Sequence, residues 1–485
     1  MTYLTTIGLE VHVQLRTKSK MFCGCATHFG DAPNTRVCPV CLGFPGVMPT
    51  MNEEAIRLTV MTGLMIGSQI SHYSKFDRKS YFYPDMPKNY QISQYDKPLC
   101  IGGGVDIEVN GVFKRVGVTR IHLEEDVGKS MHFKSASGVD FNRAGVPLME
   151  IVSEPDMVSP EEAFNYLIAL RRILLYANVS DGNLEEGNIR CDVNVSVRPE
   201  DQAKLGTKAE IKNLNTFKGA LNALKYEILR QVQVLEQGGR VVQETRRWDA
   251  DTGVTLSMRS KEDAHDYRYF SEPDLLPVCL SVAQVDQWRS ELPELPGERR
   301  VRWMKEYSLS EYDAGVLAAD REIGDFFEAA ARLAVSAKAV SNWVMTEMLR
   351  LLAEKELSIR DVRITPWALA ELVALTEQRV VNSNTAKEIF AELFEKGGDP
   401  AVIVQSRGLG QVSDATAVEA MVDRAMAENP KSVQDFRSGK AAAAKFLIGQ
   451  VMRLSRGKAD PQLAAKILES RLGASPDARQ GEDVS

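Results

Sequence analysis

The run Ile7-Gly-Leu-Glu-Val-His-Val-Gln-Leu15 alternates strictly, with Ile7, Leu9, Val11, Val13 and Leu15 on one side and Gly8, Glu10, His12 and Gln14 on the other. Period two over nine residues predicts a half-buried strand whose polar face carries Glu10 and His12 as neighbours. The pattern returns at 189–198, where Ile189, Cys191, Val193, Val195 and Val197 oppose Arg190, Asp192, Asn194, Ser196 and Arg198. It returns again at 207–212, where Thr207, Ala209 and Ile211 oppose Lys208, Glu210 and Lys212. Between these lies Asp140-Phe-Asn-Arg-Ala-Gly-Val-Pro-Leu-Met-Glu-Ile-Val-Ser-Glu-Pro-Asp156. Pro147 and Pro155 fix φ and withhold donors, so Leu148 to Val152 reads as a short strand with Glu150 on the face of Leu148 and Val152. Carboxylates that recur strand after strand, with Lys and Arg interleaved, repel one another unless cations sit among them. Glu10, His12, Glu150, Asp192 and Glu210 are therefore candidates for a divalent-metal and phosphate site. Solvated strand faces are the competing reading. Imidazole beside carboxylate suits Mn²⁺ or Zn²⁺ better than Mg²⁺, which makes His12 an unusual Mg²⁺ neighbour.

Further along, Asp106 to Val118 reads as a hairpin about Asn110-Gly111, the strongest short hairpin signal. Its return strand runs into Arg120-Ile-His-Leu-Glu-Glu-Asp-Val-Gly-Lys-Ser130. The last three residues imitate the end of a phosphate-binding loop, but Leu123 stands where the leading Gly belongs, so a Walker-type site is rejected. What remains is Glu124-Glu125-Asp126 at a strand end with Lys129 nearby. Glu124 and Glu125 fall on opposite faces, and alternation does not say which one faces the site.

Four of the seven cysteines form two close pairs, Cys23/Cys25 and Cys38/Cys41. Two such pairs about a dozen residues apart suit tetrahedral Zn²⁺ in a reducing compartment better than disulfides. A four-thiolate site is closed, so this zinc staples a loop rather than doing chemistry. From Lys75 to Tyr95, Lys75, Arg78, Lys79 and Lys88 alternate with Phe76, Tyr81, Phe82, Tyr83, Tyr90 and Tyr95. Aromatic faces stack on bases while Lys and Arg meet phosphates, which fits the single-stranded end of an RNA. A Tyr-rich loop over a core has the same composition.

At 485 residues, 44% hydrophobic and 26% charged, the chain is an ordinary globular protein of more than one domain. A net charge of −7 excludes a uniformly basic nucleic-acid coat, though not a local basic patch. No apolar run approaches a membrane span and no secretory leader is visible, so a cytoplasmic location is expected. Ser159-Pro160-Glu161-Glu162 signals a helix start with a capping box, and a second amphipathic helix from Phe217 ends at Gly238-Gly239. Gln243 to Gly253 and Asp266 to Asp274 again mix acidic, basic and aromatic residues and read as strand and loop lining. After Leu292-Pro-Glu-Leu-Pro-Gly297 the period-two patterning stops and Ala-rich helical stretches follow, with joints at Gly397-Gly398 and Gly408 to Gly410. Lys431 to Arg471 holds nine basic residues against three acidic ones, which fits phosphate-backbone binding or, alternatively, plain charge balancing. The predicted fold is α+β: a mainly antiparallel β-sheet cradle with helices over 1–295, an all-α domain over 296–408, a small basic all-α tail domain over 409–475, and a disordered tail over 476–485.

These runs resemble the B subunits of the glutamine-dependent aspartyl/glutamyl-tRNA amidotransferases. The resemblance is carried by Ile7 to Val13, Phe76-Asp-Arg-Lys-Ser-Tyr-Phe-Tyr-Pro-Asp85, His122 to Lys129, Asp140 to Asp156, Glu186-Gly-Asn-Ile-Arg-Cys-Asp192 and Gly206-Thr-Lys-Ala-Glu-Ile-Lys-Asn-Leu-Asn215, in that order. It implies a chemistry: ATP phosphorylates the side-chain carboxylate of Asp or Glu misacylated onto tRNA, and ammonia displaces the phosphate. It implies that Glu10, His12, Glu124 or Glu125, Glu150, Asp192 and Glu210 hold Mg²⁺, with Lys79 and Lys88 near the reacting end and the ammonia path. Lys129, Asn142, Arg143, Tyr81 and Tyr83, within or beside the same motifs, are the nucleotide-binding candidates. It implies partners too: an amidase (A) subunit that makes ammonia, a small C subunit, and tRNA held by its acceptor end at the cradle and by its body at the tail domain. The zinc cysteines are not universal in the family and rest on spacing alone. An ATP-dependent amide ligase acting on a non-tRNA carboxylate, and a non-catalytic tRNA-docking scaffold, are the competing readings.

Overall fold

The computed structural model describes residues 2–472 apart from 185, 261–266, 410–414, 439, 441 and 456–458. The expected tail at 476–485 lies outside the described residues, as do Gly410, Arg456, Lys458 and Asp266. The chain divides into two compact units, Met1–Pro296 and Gly297–Ser485.

The first unit is built on a ten-stranded sheet. Its order is Val254–Ser260, Glu244–Asp249, Ala209–Leu214, Ile189–Pro199, Tyr3–Gln14, Pro147–Ser153, Val112–Glu125, Cys100–Ile101 and Gln69–Ile70, with Gly104–Val109 paired to Val112–Glu125. The opening alternation therefore lies at the centre. Ile7, Val11 and Val13 are fully buried and Leu9 nearly so, as are Met149, Ile151, Val193, Val195 and Ile211 on neighbouring strands. Helices Glu53–Met65, Pro160–Tyr176 and Phe217–Glu236 pack on the sheet and share one hydrophobic core with these side chains. Pairing is antiparallel except between Ala209–Leu214 and Glu244–Asp249. There Phe217–Glu236 supplies the crossover that a parallel pair requires. The hairpin forms as predicted: Asn110 and Gly111 have φ of +52° and +78°, and Val109 faces Val112, the geometry of a two-residue turn.

Helix ends follow the chemistry of their caps. Ser159 Oγ accepts from the Glu162 amide at 3.2 Å, with Pro160 in the first turn. The other half of the expected capping box is shifted by one residue, because Glu162 takes the Val158 amide at 2.8 Å and also pairs with Lys114. The lysine draws the carboxylate outward, so the helix entry is held from the residue before the cap.

The second unit is helical. Helices from Pro296–Glu306 to Pro400–Arg407 enclose a core around Trp303, Phe327, Leu369 and Phe390. Ala415–Glu428, Pro430–Arg437, Ala442–Leu454 and Pro461–Leu472 enclose a separate small core around Val418, Val422, Leu447 and Leu468. The sheet with helices followed by a helical region is the α+β class read from the sequence. Among the described residues no helix is long and apolar enough to cross a membrane.

Candidate active site

Register assembles the site. Across the sheet Glu10 faces Asp192 on one side and Val152 on the other, and His12 faces Arg190 and Glu150. Glu150 in turn faces His122, Leu148 faces Glu124, and Asn194 faces Glu210. Directly paired residues share a face, so these groups stand together opposite the apolar face of the sheet. His12 Nε2 lies 3.2 Å from Glu150 Oε2 and 3.9 Å from Glu124 Oε1. His122 Nε2 lies 3.5 Å from Glu150 and 3.9 Å from Glu124. Beside them Asn194 Nδ2 donates to Glu10 at 3.1 Å, while Lys212 Nζ spans Asp192 at 2.5 Å and Glu210 at 3.2 Å. Thr245 Oγ1 fixes the remaining Glu210 oxygen at 2.8 Å.

The electrostatics record the crowding. Glu10 is raised above the usual carboxylate range, first by burial and then by the charges of Glu150, Asp192 and Glu210. Burial likewise raises Glu124, with Glu150 adding to it. Burial opposes protonation of His12, yet the hydrogen bond and charge of Glu150 outweigh it and raise the imidazole. His122, fully enclosed, is pushed down to about 4, chiefly by burial, with Arg120, His12 and Lys79 adding to it. Burial works against the charged form of Glu150 as well, but the two imidazoles, with a hydrogen bond from His12, and the Lys79 ammonium lower it below the usual carboxylate range.

Two supports come from outside the sheet. The three-stranded sheet of Asp77–Ser80, Tyr90–Ser93 and Phe270–Ser271 carries Lys79. Burial opposes the charge of Lys79, but Glu124, Tyr269, Tyr267 and Glu150 raise its pKa, and its ammonium stands 4.8 Å from the Tyr267 ring centroid. Asp126, just past the strand end, is 1% exposed. It takes Arg143 Nη2 at 2.7 Å, Arg190 Nη2 at 2.7 Å and Gln14 Nε2 at 2.6 Å.

Comparison with known proteins matches this architecture. The family model described as the GatB/GatE catalytic domain covers residues 5–286, and a GatB domain model covers residues 325–472. A Caldicellulosiruptor bescii protein is 51% identical over 477 residues, 97% of this chain and 99% of its own length. A Thermoanaerobacter sp. protein is 51% identical over 473 residues (97% and 100%), and one from Solidesulfovibrio magneticus 50% over 473 (97% and 99%). Each of the three is named as the B subunit of an aspartyl/glutamyl-tRNA(Asn/Gln) amidotransferase. The chain belongs to this B-subunit family.

Within this family member, the structure distributes the sequence candidates unevenly. Glu10, His12, Glu124, Glu150, Asp192, Glu210 and Lys79 converge. Glu125 does not join them: it points to the other side, ion-paired with Lys88 and accepting from the Ile92 amide at 2.9 Å. That pair lines a cavity of about 260 Å³ with Phe22, Cys23, Cys41 and Tyr90. Lys129 is exposed on a separate hairpin, Lys129–His132 with Ser137–Asp140. Asn142 instead anchors the cysteine loop, donating to the Ala32 carbonyl and accepting from the Arg36 amide, each at 2.8 Å. Tyr81 and Tyr83 pack on each other at 4.7 Å, and burial of Tyr81 pushes its phenol up to about 12. His122, Asp126, Arg190, Asn194, Lys212 and Thr245 were not among the predicted site residues. The spacing of His122 and Glu124, two apart on one strand like Glu10 and His12, was the available signal for the first.

Two ligand sets have the chemistry for a metal ion. The donor atoms of His12, Glu124 and Glu150 lie within 4.8 Å of one another, as do the sulfurs of Cys23, Cys25, Cys38 and Cys41. The Cys41 thiol is lowered to about 4, first by a hydrogen bond from Cys23, with the Cys38 amide and Lys20 assisting against burial. Lys20, itself 1% exposed, reaches Cys41 Sγ at 3.5 Å and the Phe141 carbonyl at 3.1 Å.

Proposed function

We propose that this chain is the site-bearing member of a heterotrimeric, glutamine-dependent amidotransferase that converts misacylated Asp-tRNA(Asn), Glu-tRNA(Gln) or both to Asn-tRNA(Asn) and Gln-tRNA(Gln). The names of its relatives support the reading. The observation that carries it is the single face on which Glu10, His12, Glu124, Glu150, Asp192 and Glu210 meet beneath Lys79.

In the first step an oxygen of the substrate's side-chain carboxylate bonds to the γ-phosphorus of ATP, the bond to the bridging oxygen breaks, and ADP leaves. In the second, ammonia bonds to the carbonyl carbon of the acyl phosphate, its C–O bond breaks, inorganic phosphate departs and nitrogen sheds a proton. The first step sets anion against anion, so its transition state needs positive charge close to the phosphoryl oxygens. Magnesium, held by His12, Glu124 and Glu150 with Glu10, Asp192 and Glu210 alongside, would supply that charge when bound. Lys79 supplies a fixed ammonium from the chain. Glu10 and Glu124, both raised first by burial and then by neighbouring carboxylates, are the carboxyls of the row suited to carry a proton.

Ammonia comes from the amidase (A) partner, with the small C partner holding the pair together, and Lys88 with Glu125 lines its approach behind the strand. Cys23, Cys25, Cys38 and Cys41 would hold a zinc ion that, when bound, would tie together the loop that walls this cavity. The tail domain's basic surface takes the tRNA body, and its acceptor end enters over the Tyr81 and Tyr83 loop.

Glu150→Gln and Asp192→Asn test the reading in the assembled complex. Each is expected to abolish tRNA-dependent ATP hydrolysis while leaving tRNA affinity within about twofold. Wild-type turnover in both would instead support a docking scaffold.

A further inference from the structure

One carboxylate in the cradle is shared by two guanidiniums. Asp126 Oδ2 accepts from Gln14 Nε2 at 2.6 Å and from Arg143 Nη2 and Nε at 2.7 and 3.2 Å. Asp126 Oδ1 accepts from Arg190 Nη2 at 2.7 Å and from the Val127 amide at 2.9 Å. Five donors exhaust the lone pairs of a carboxylate, so neither guanidinium can turn further N–H groups onto it. Arg143 and Arg190 share this one carboxylate, which fixes where each guanidinium lies. The Arg190 side chain is 41% exposed, yet its Nε is buried with no hydrogen-bond partner. The residue faces His12 across the strand pair, on the same face as Glu150. Glu124 and Asp192, both of that face, contribute to its electrostatic surroundings.

We propose that Arg190, clamped by Asp126 and backed by Arg143, is a substrate-binding residue that seats an oxyanion at the edge of the carboxylate row. A planar fork that is held at one edge and still 41% exposed can present its remaining donors to two oxygens of one group. Two groups of this chemistry enter the reaction proposed above, on which this inference rests: the γ-phosphate of ATP and the side-chain carboxylate carried by the tRNA. Asp126 is a positioning residue. By holding Nη2 at 2.7 Å it gives the Arg190 guanidinium one orientation. The Glu124 and Asp192 carboxylates, whose charges also act on Arg190, explain why a clamp is needed, since an unheld guanidinium would turn onto them.

The experiment uses the complete heterotrimer with Arg190→Ala, Arg190→Lys and Glu150→Gln, and determines kcat and KM separately for ATP and for misacylated tRNA. Arg190→Ala is expected to raise the KM of one substrate about tenfold to a hundredfold, the loss of a charge-assisted hydrogen bond. Arg190→Lys keeps the charge without the fork and is expected to recover less than half of that loss in logarithmic terms. Guanidinium ion added to Arg190→Ala is expected to restore part of it. A rise confined to ATP assigns the seat to phosphate, and a rise confined to the aminoacylated tRNA assigns it to the carboxylate. Equal losses on both substrates, a fall in kcat alone, or wild-type constants in a folded Arg190→Lys protein overturn the proposal. If Arg190→Ala does not fold, the Arg190→Lys constants decide alone. Glu150→Gln separates the two levels: inactive Glu150→Gln with unaffected Arg190 variants removes the seat and leaves the proposed function standing, whereas active Glu150→Gln removes both.

Discussion

Replacing Asp126 by Asn should loosen the cradle out of proportion to the one atom changed. The side chain is 1% exposed and holds Arg143, Arg190 and Gln14 from three separate segments, 17, 64 and 112 residues away in sequence. Asn keeps the shape but withdraws the only negative charge those guanidiniums share. It also turns one acceptor into a donor aimed at other donors. Removing one partner from a buried ion pair costs about 3–5 kcal/mol. Here Arg143 and Arg190 are 24% and 41% exposed, so water recovers part of their solvation. The expected loss therefore falls to or below the bottom of that range, about 2–3 kcal/mol. The two compact units make whole-chain unfolding unsuitable as a readout, because one transition would blend both. Hydrogen exchange followed peptide by peptide resolves the question: amides of Tyr3–Gln14, Pro147–Ser153 and Ile189–Pro199 should lose about 30-fold to 150-fold in protection at pH 7, while Pro366–Glu377 stays unchanged. Protection within threefold of wild type across all three strands would refute the claim that Asp126 ties them together.

Three further outcomes follow from other parts of the molecule. Zinc measured by elemental analysis should approach one ion per chain and be lost in Cys38→Ser, with faster exchange confined to the cysteine loop; a metal-free wild type purified without chelator would contradict the four-thiolate reading. Glu328 is held down to about 2: burial opposes its charge, but hydrogen bonds from Arg302 and Arg299 outweigh that, so its contribution to the helical unit should be complete above about pH 4.5 and fade as pH falls towards 2. Glu328→Gln should therefore destabilise that unit at pH 7 and by progressively less in acid, and a pH-independent difference would show that the ion pairs are not responsible. Reversing Lys445 and Lys466 to Glu should weaken tRNA binding and lower the slope of log affinity against log salt by roughly one to two; an unchanged slope would mean those residues only balance charge.

Much of the cradle was legible because one physical signal, period two with one apolar face, recurs on each central strand. Three carboxylate positions of the site came from that signal, since Glu10, Asp192 and Glu210 are the polar members of alternating runs; Glu150 was read inside an apolar run between two prolines, and alternation left Glu124 and Glu125 undecided. Register was not legible. Nothing local states that Glu10 lies opposite Asp192 or that Glu150 lies opposite His122. A one-residue slip would keep every strand intact yet send its carboxylate into the core. Lys212 and Arg190 were visible as polar-face residues but not as members of the site, because their roles depend on which carboxylate each strand pairing brings near. Asp126 was the hardest to see. It lies beyond the alternating run, and its partners arrive from a turn and from a distant strand.

The adjacent residues Glu124 and Glu125 show why a sheet suits this chemistry. Successive side chains of a strand point to opposite faces, so two carboxylates one peptide apart serve two different surroundings without any loop between them. Glu124 stands with His12, His122 and Glu150, whereas Glu125 is paired with Lys88 in the cavity walled by the cysteine loop. On the proposed reading, the phosphorylation site and the approach of ammonia lie on either side of one strand.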